Sequence, residues 1–290
     1  MLIQNRDGAD KRREPHRHLV MLALLLALTI SVAAAMTPGT QSAYRARLTN
    51  STDTAGVAVA NSCAWTYATG SPTPYFLYPL ADNPVTTTAT DTSGNKRTAT
   101  YTGTPAHSGS NACVRDGSGS TTFNGTNTSL VSPTAQSSPQ TFTLEIWFRT
   151  TVAGGYLMGL NGNKDGTGGY DRHVYLNSTG QVVFGIYSGG FQVVTSTASY
   201  NDGAWHHAAA TFDSTAGLTL YIDGKSVGTP ITTAYTAEPN SGYWRIGYGT
   251  LANWPGSATP YYFNGQLGYA VLYMSALSAT AIAAHYSAGT

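Results

Sequence analysis

Only two glutamates follow the first twenty residues of this 290-residue chain, Glu145 and Glu238. Glycoside hydrolysis typically takes two carboxylates facing each other across a cleft, so a search for catalysis starts with these two. Glu145 stands in the middle of FTLEIWFRT, on the face opposite the apolar residues, which predicts a surface or cross-strand role. Glu238 stands in TAEPNSG, a turn-like segment. The aspartates fall mostly at turns, at Asp91, Asp165, Asp202, Asp213 and Asp223, and no E-x-D or E-x-x-x-E grouping lies on a strand. Nucleophilic chemistry finds no G-x-S-x-G elbow, and zinc hydrolysis finds no H-E-x-x-H. His206 and His207 are adjacent on a predicted strand, so their rings point to opposite faces. One is expected to be buried or half-buried and the other exposed.

Binding chemistry has more to work with. GTLANWPGSATPYYFNG, 249–265, places Trp254, Tyr261 and Tyr262 in or beside a loop, with Tyr170 and Tyr187 as further surface candidates. Exposed rings stack on sugars or anchor protein contacts; the competing expectation is that some of them cap the core. Calcium takes several oxygen ligands from flexible loops. NGNKDGTGGYD supplies Asn161, Asn163, Asp165 and Asp171 as donors, unless that segment is simply a hydrogen-bonded loop. Cys63 and Cys113 are the only cysteines, with no CxxC, so a disulfide closing a loop of about fifty residues is the default reading.

The elements that must position these residues follow from composition and pattern. Charged residues make up 10% of the chain and the net charge is +1, with 42 Thr, 32 Gly and 19 Tyr. A nucleic-acid partner is excluded by the lack of a basic excess. Thr, Tyr and Gly in this balance predict strands joined by tight turns. FTLEIWFRT alternates strictly, with Phe142, Leu144, Ile146 and Phe148 on one face. Further strands are expected at 156–160, 172–177, 181–188, 190–199, 206–213, 218–224, 225–229, 243–249 and 266–276. Asp223-Gly224 marks a hairpin. The last segment, 277–289, reads as a short helix with Ser278 at its N-cap. The fold class expected is all-β, a two-sheet antiparallel sandwich with a short C-terminal helix.

The N-terminus reads differently. Lys11, Arg12, Arg13 and Arg17 precede an uncharged apolar run, 19–36, with small residues at 33–35. This has the form of a hydrophobic leader helix, a signal peptide or membrane anchor over 1–43. Without residues 1–20 the chain carries a net charge of −1, so its slight basicity belongs to the leader. A strand segment and linker is expected over 44–73, followed by one domain over 74–290.

Several pieces, in order, carry a family resemblance. They are YPLADN at 78–83, DTSGNKRTATYTG at 91–103, TTFNGTNTSLVSP at 121–133, FTLEIWFRT, DGAWHHAAATFD, LTLYIDGKSVG, and YFNGQLGYAVLYMSALSATAIAAHY at the C-terminus. Together they resemble the laminin-G-like, or concanavalin A-like, jelly-roll domain of bacterial exported surface proteins. The resemblance implies two curved antiparallel sheets, roles in carbohydrate binding, adhesion or protein interaction, and in some relatives calcium held by Asp side chains and loop carbonyls. The closing strand departs from the family's acidic pattern, since Gly268, Tyr269 and Ala270 follow Leu267.

The function expected is a non-catalytic exported binding or structural module with a glycan or surface-protein partner. Its location would be extracellular, either secreted or held to the membrane only by an uncleaved N-terminal segment. The alternatives are a carbohydrate-active enzyme and a subunit of a surface fibre, in which residues 44–62 lend an edge strand to a neighbour.

Overall fold

In the computed structural model the alternating segment becomes β9 (Thr141–Arg149), and Phe142, Leu144, Ile146 and Phe148 enter the main apolar core. The structure describes residues 62–83 and 85–290, with the backbone of a small hairpin, β1 (Thr49–Asn50) and β2 (Asp53–Thr54). The leader predicted over 1–43, and most of 44–61, lie outside the described residues.

Two antiparallel sheets face each other across that core. The first runs β13 (Phe191–Ser199), β12 (Gln181–Tyr187), β11 (Tyr170–Leu176), β10 (Gly155–Asn161), β17 (Tyr243–Ile246), β8 (Ser129–Val131), β5 (Ala99–Thr102) and β4 (Thr88–Ala89). The second runs β16 (Lys225–Ile231), β15 (Gly217–Ile222), β14 (Trp205–Asp213), β9, β18 (Asn264–Tyr273), β7 (Ser120–Asn124) and β6 (Ala106–Ser108). A short strand, β3 (Phe76–Tyr78), also pairs with β18. Val174, Leu176 and Phe184 of the first sheet meet Phe142, Ala208 and Phe212 of the second in the shared core. The non-consecutive strand neighbours are those of a jelly roll. β15 and β16 turn at Asp223 and Gly224, whose φ values of 52° and 74° are the paired left-handed conformations of a tight hairpin.

The middle of the second sheet's outer face is not solvated. It is covered by α1 (Cys63–Thr69) and α2 (Ala279–Gly289), each N-capped by a serine, Ser62 and Ser278. Cys63 is joined to Cys113 by the expected disulfide, with Cα atoms 6.1 Å apart. Tyr67, Trp147, Val271 and Ile282 pack into a second apolar cluster beneath the helices. Two expectations change here. Residues 44–73 are not only strand and linker, because 63–69 is helical. Of the two roles expected for Glu145, the surface one is overturned, since its strand face is roofed by the helices and its side chain is fully buried, and the cross-strand one holds, since it meets His207 on the neighbouring β14.

Candidate functional site

The outer face of the first sheet carries the candidate ligand cleft. β12 and β13 are joined by a tight turn with Gly189 at φ 64°, which sets Tyr187 opposite Phe191. Their rings stand 5.2 Å apart, edge to face. The 250–263 loop folds back over the sheet, and Trp254 packs with Tyr156, Tyr175, Val183 and Leu251. Gly185 makes room for it: a Cβ there would lie 2.8 Å from the indole Cζ3 and 2.6 Å from Val193 Cγ1. Tyr170 Oη donates to Ala252 O at 3.2 Å and Tyr175 Oη to Pro255 O at 2.6 Å, pinning the loop. Phe191 then meets Trp254 at 5.2 Å. The result is a half-open cleft of about 430 Å³, walled by Tyr170, Tyr187, Phe191 and Trp254. Asp171, Glu238, Asn240 and Asn253 supply its polar groups.

A buried ion pair holds the cleft's far wall. Arg172 sits at φ 59°, a left-handed position, in a bulge where β11 spends Arg172 and His173 opposite Gly159. Its Nη1 lies 2.6 Å from Asp171 Oδ2, while Asp171 Oδ1 accepts from the backbone amides of Arg172 and Tyr187 at 2.6 and 2.7 Å. Burial raises the Asp171 pKa despite the Arg172 charge and these two amides. The guanidinium also donates to Pro139 O at 2.9 Å and Glu238 O at 3.2 Å. It thereby ties β11 to the loop that carries Glu238. His173, next in the bulge, is brought down to about 3 by burial and by Arg172. It stays neutral, with Nδ1 3.2 Å from Tyr156 Oη and its ring 4.7 Å from that of Trp254.

The residues proposed from sequence fall in several places. Trp254 lines the cleft as a wall, with only 3% of its surface exposed. Tyr261 is half-buried beside the same aromatic cluster, and Tyr262 stacks on Tyr248 at 3.9 Å, so neither lines the cleft. The oxygen donors do not share one open site. Asn161 is buried, accepting from Tyr156 Oη at 3.0 Å and donating to Gly166 O at 3.1 Å. Asn163 donates to Thr167 Oγ1, and Asp165 accepts from Thr167 N and Oγ1 in an exposed turn. Asp171 is turned to Arg172. Asn163 and Asp165 share Thr167 as a partner, while Asn161 and Asp171 are each turned to other groups, a poor fit to a calcium shell of convergent oxygens. Phe191 and Glu238 were missed as site residues. The sequence signal for Phe191 is a ring pair flanking Ser188-Gly189-Gly190. Glu238 reaches the cleft through a loop held by Arg172, Tyr187 O and Gln140, contacts that no local sequence signal announces.

The other glutamate forms a closed cluster. Glu145 Oε1 and Oε2 lie 2.9 and 3.0 Å from His285 Nδ1, and Oε2 lies 2.9 Å from His207 Nε2. Tyr67 Oη lies 3.3 Å from His207 Nε2 and accepts from Trp147 Nε1 at 3.3 Å. Burial pushes the Glu145 carboxyl up. The His285 charge and the hydrogen bonds from His207 and His285 outweigh it and bring the pKa to about 2. The cluster is roofed by both helices, so its chemistry is structural. His206 takes the opposite face, half-buried, with Nδ1 2.8 Å from Asp223 Oδ2 and Nε2 3.1 Å from Asp202 Oδ1. The two rings divide between faces as their adjacency predicts, but neither is exposed: His207 is fully buried and the His206 side chain keeps only 12% of its surface, because Asp202 and Asp223 close over it.

Comparison with known proteins bears on the fold. No curated protein matches the sequence. The chain is similar to domain 4 of AbnA, a GH43 extracellular arabinanase from Geobacillus stearothermophilus solved with arabinotriose. That likeness has 16% identity and a TM-score of 0.52, and covers 72% of this chain and 96% of that one. It is also similar to the binding domain of Paraclostridial Mosquitocidal Protein 1, at 15% identity and TM-score 0.53, covering 73% of this chain and 51% of that one. The botulinum neurotoxin serotype C1 binding domain compares at 13% and 0.54, with the same coverages. The chain thus spans about half the length of those two toxin-domain chains. At such identities the likeness is one of fold. A model of the concanavalin A-like lectin/glucanases superfamily matches residues 122–283, more than half of the sequence. That match and the jelly-roll topology agree: the chain belongs to the concanavalin A-like lectin/glucanases superfamily.

Proposed function

We propose that the chain is an exported, non-catalytic glycan-binding module whose ligand occupies the aromatic cleft. The observation that carries this reading is the convergence of Tyr170, Tyr187, Phe191 and Trp254 on one cleft beside two amides and two carboxylates. Rigid rings offer apolar faces to sugar C–H surfaces at small entropic cost, and Asn240 and Asn253 offer directional hydrogen bonds. The volume of about 430 Å³ lies within the roughly 300–1,000 Å³ range of small-ligand pockets. The fold likeness to an arabinanase domain solved with arabinotriose favours the same ligand class.

Export is supported by the Cys63–Cys113 disulfide, since such bonds persist outside the cytosol. The basic flank and apolar run at 11–36 support it too, whether the leader is cleaved or retained as an anchor. Among the described residues no helix is long and apolar enough to cross a membrane.

Hydrolysis is the second reading, because Asp171 and Glu238 both line the cleft. Both Asp171 oxygens are committed to Arg172 and backbone amides, which leaves neither free to meet a leaving group. Binding is therefore the better-supported activity. The test is a glycan array with the full chain, alongside Tyr187→Ala and Phe191→Ala and an assay for released reducing sugar. Expected are binding by the wild type, loss in both variants with unchanged far-UV circular dichroism, and no sugar release. Failure to bind any glycan overturns the proposal, as does turnover of a bound one.

A further inference from the structure

Resting on the glycan reading above, we infer that the cleft selects sugars carrying a free, positively charged amine. The cleft is lined by two carboxylates and by no Lys, Arg or His. The nearby cation, Arg172, is buried and spends its charge on Asp171 at 2.6 Å. Glu238 is left as the acidic group that faces solvent there.

Its backbone is held at three points. The amide donates to Tyr187 O at 3.0 Å, and the carbonyl accepts from Arg172 Nη2 at 3.2 Å and from Asn240 N at 2.8 Å. Its carboxylate has no hydrogen-bond or ion-pair partner among the described residues. The backbone that carries this charge is ordered before a ligand arrives, so only the rotamers of the Glu238 side chain remain to be fixed on binding, and its carboxylate is available for recognition. The rings around it act in the same sense, because aromatic faces attract cations electrostatically.

An amino sugar fits both features at once, its ammonium meeting Glu238 while the apolar ring face lies against the aromatic wall. N-acetylation removes that charge, and an acidic sugar sets like charge against Glu238. The ligand class is therefore a de-acetylated hexosamine oligomer, with uronic-acid and sialylated glycans disfavoured.

The test is calorimetric titration of the full chain, at mildly acidic pH and low salt, with a glucosamine trimer and with its fully N-acetylated counterpart. The amine form should bind about tenfold more tightly, the order of one well-placed charge contact with a cation–π contribution. Glu238→Gln should collapse that ratio towards one, and Glu238→Asp should restore part of it. High salt should also narrow the ratio. Equal affinity of the wild type for both trimers overturns this inference and leaves the glycan reading standing. So does a preference that survives in Glu238→Gln. Binding of neither trimer, with an array blank for every glycan, removes both.

Discussion

Glu145 on β9 and His285 on α2 are 140 residues apart in the chain, yet Oε1 and Nδ1 meet at 2.9 Å in a site sealed from water. This contact, with His207 on the other oxygen, latches the C-terminal helix to the outer face of the sheet. Glu145→Gln keeps the shape and removes the charge that both imidazoles face. It should cost about 2–4 kcal/mol, near the range for breaking a buried pair. Urea denaturation would show this as a lower midpoint at unchanged slope. An unshifted midpoint would mean that the latch is dispensable.

Two buried groups shape the acid limb of stability. Glu145 is depressed in the folded state from 4.5 to about 2. Its contribution is complete above 4.5 and is lost as pH falls towards 2. His173 is depressed from 6.5 to about 3, so the unfolded chain takes up that proton first. Its contribution is complete above 6.5 and is lost as pH falls towards 3. Stability measured by denaturant at a series of pH values should therefore decline from 6.5 downward in two overlapping stages. His173→Asn should flatten the upper stage and Glu145→Gln the lower; a wild-type profile flat between 6.5 and 4.5 would refute the His173 assignment.

The disulfide joins the first residue of α1 to Cys113, across 50 residues of sequence. Replacing both cysteines by serine should cost about 2–4 kcal/mol by enlarging the unfolded ensemble. Mass analysis after alkylation should find no free thiol in the untreated protein and two after reduction.

Arg172 reaches Asp171, Pro139 O and Glu238 O together, which takes the planar fork of a guanidinium. Arg172→Lys keeps the charge but cannot make all three contacts. Glycan affinity should fall about tenfold through displacement of the Glu238 loop, an effect of misplaced rather than missing binding groups. Unchanged affinity would show that the loop is positioned without it.

Calcium would have to displace protein partners already made by Asp165 and Asp171. The expected outcome is a melting temperature that is the same in chelator and in millimolar calcium. A rise with calcium would show that the 161–171 loop rebuilds around the ion.

The features that read correctly from the residues are local ones. The alternation in 142–148 sets one face of β9 into the core, Asp223-Gly224 turns a hairpin through its paired left-handed φ values, and Ser278 caps α2. Each depends on a few neighbouring residues and on a period or dihedral that the chain imposes by itself. α1 was not legible. It has seven residues, too few for a periodic signal, and is held by the disulfide and by packing of Tyr67.

The two glutamates show where local reasoning stops. A period of two separates the faces of a strand but does not say what covers them, and only the docking of α1 and α2 turned Glu145 from a surface residue into a buried one. Glu238 lies in a loop, close to what its sequence implies, but its place beside Tyr187 and Phe191 is set by bonds to Tyr187 O and to Arg172, 51 and 66 residues away. The sequence by itself determined the sandwich, its disulfide and its shortage of carboxylates, because composition and local pattern carry those. Which carboxylate is sealed and which faces a ligand was decided by tertiary structure, because long-range packing alone sets burial and charge pairing.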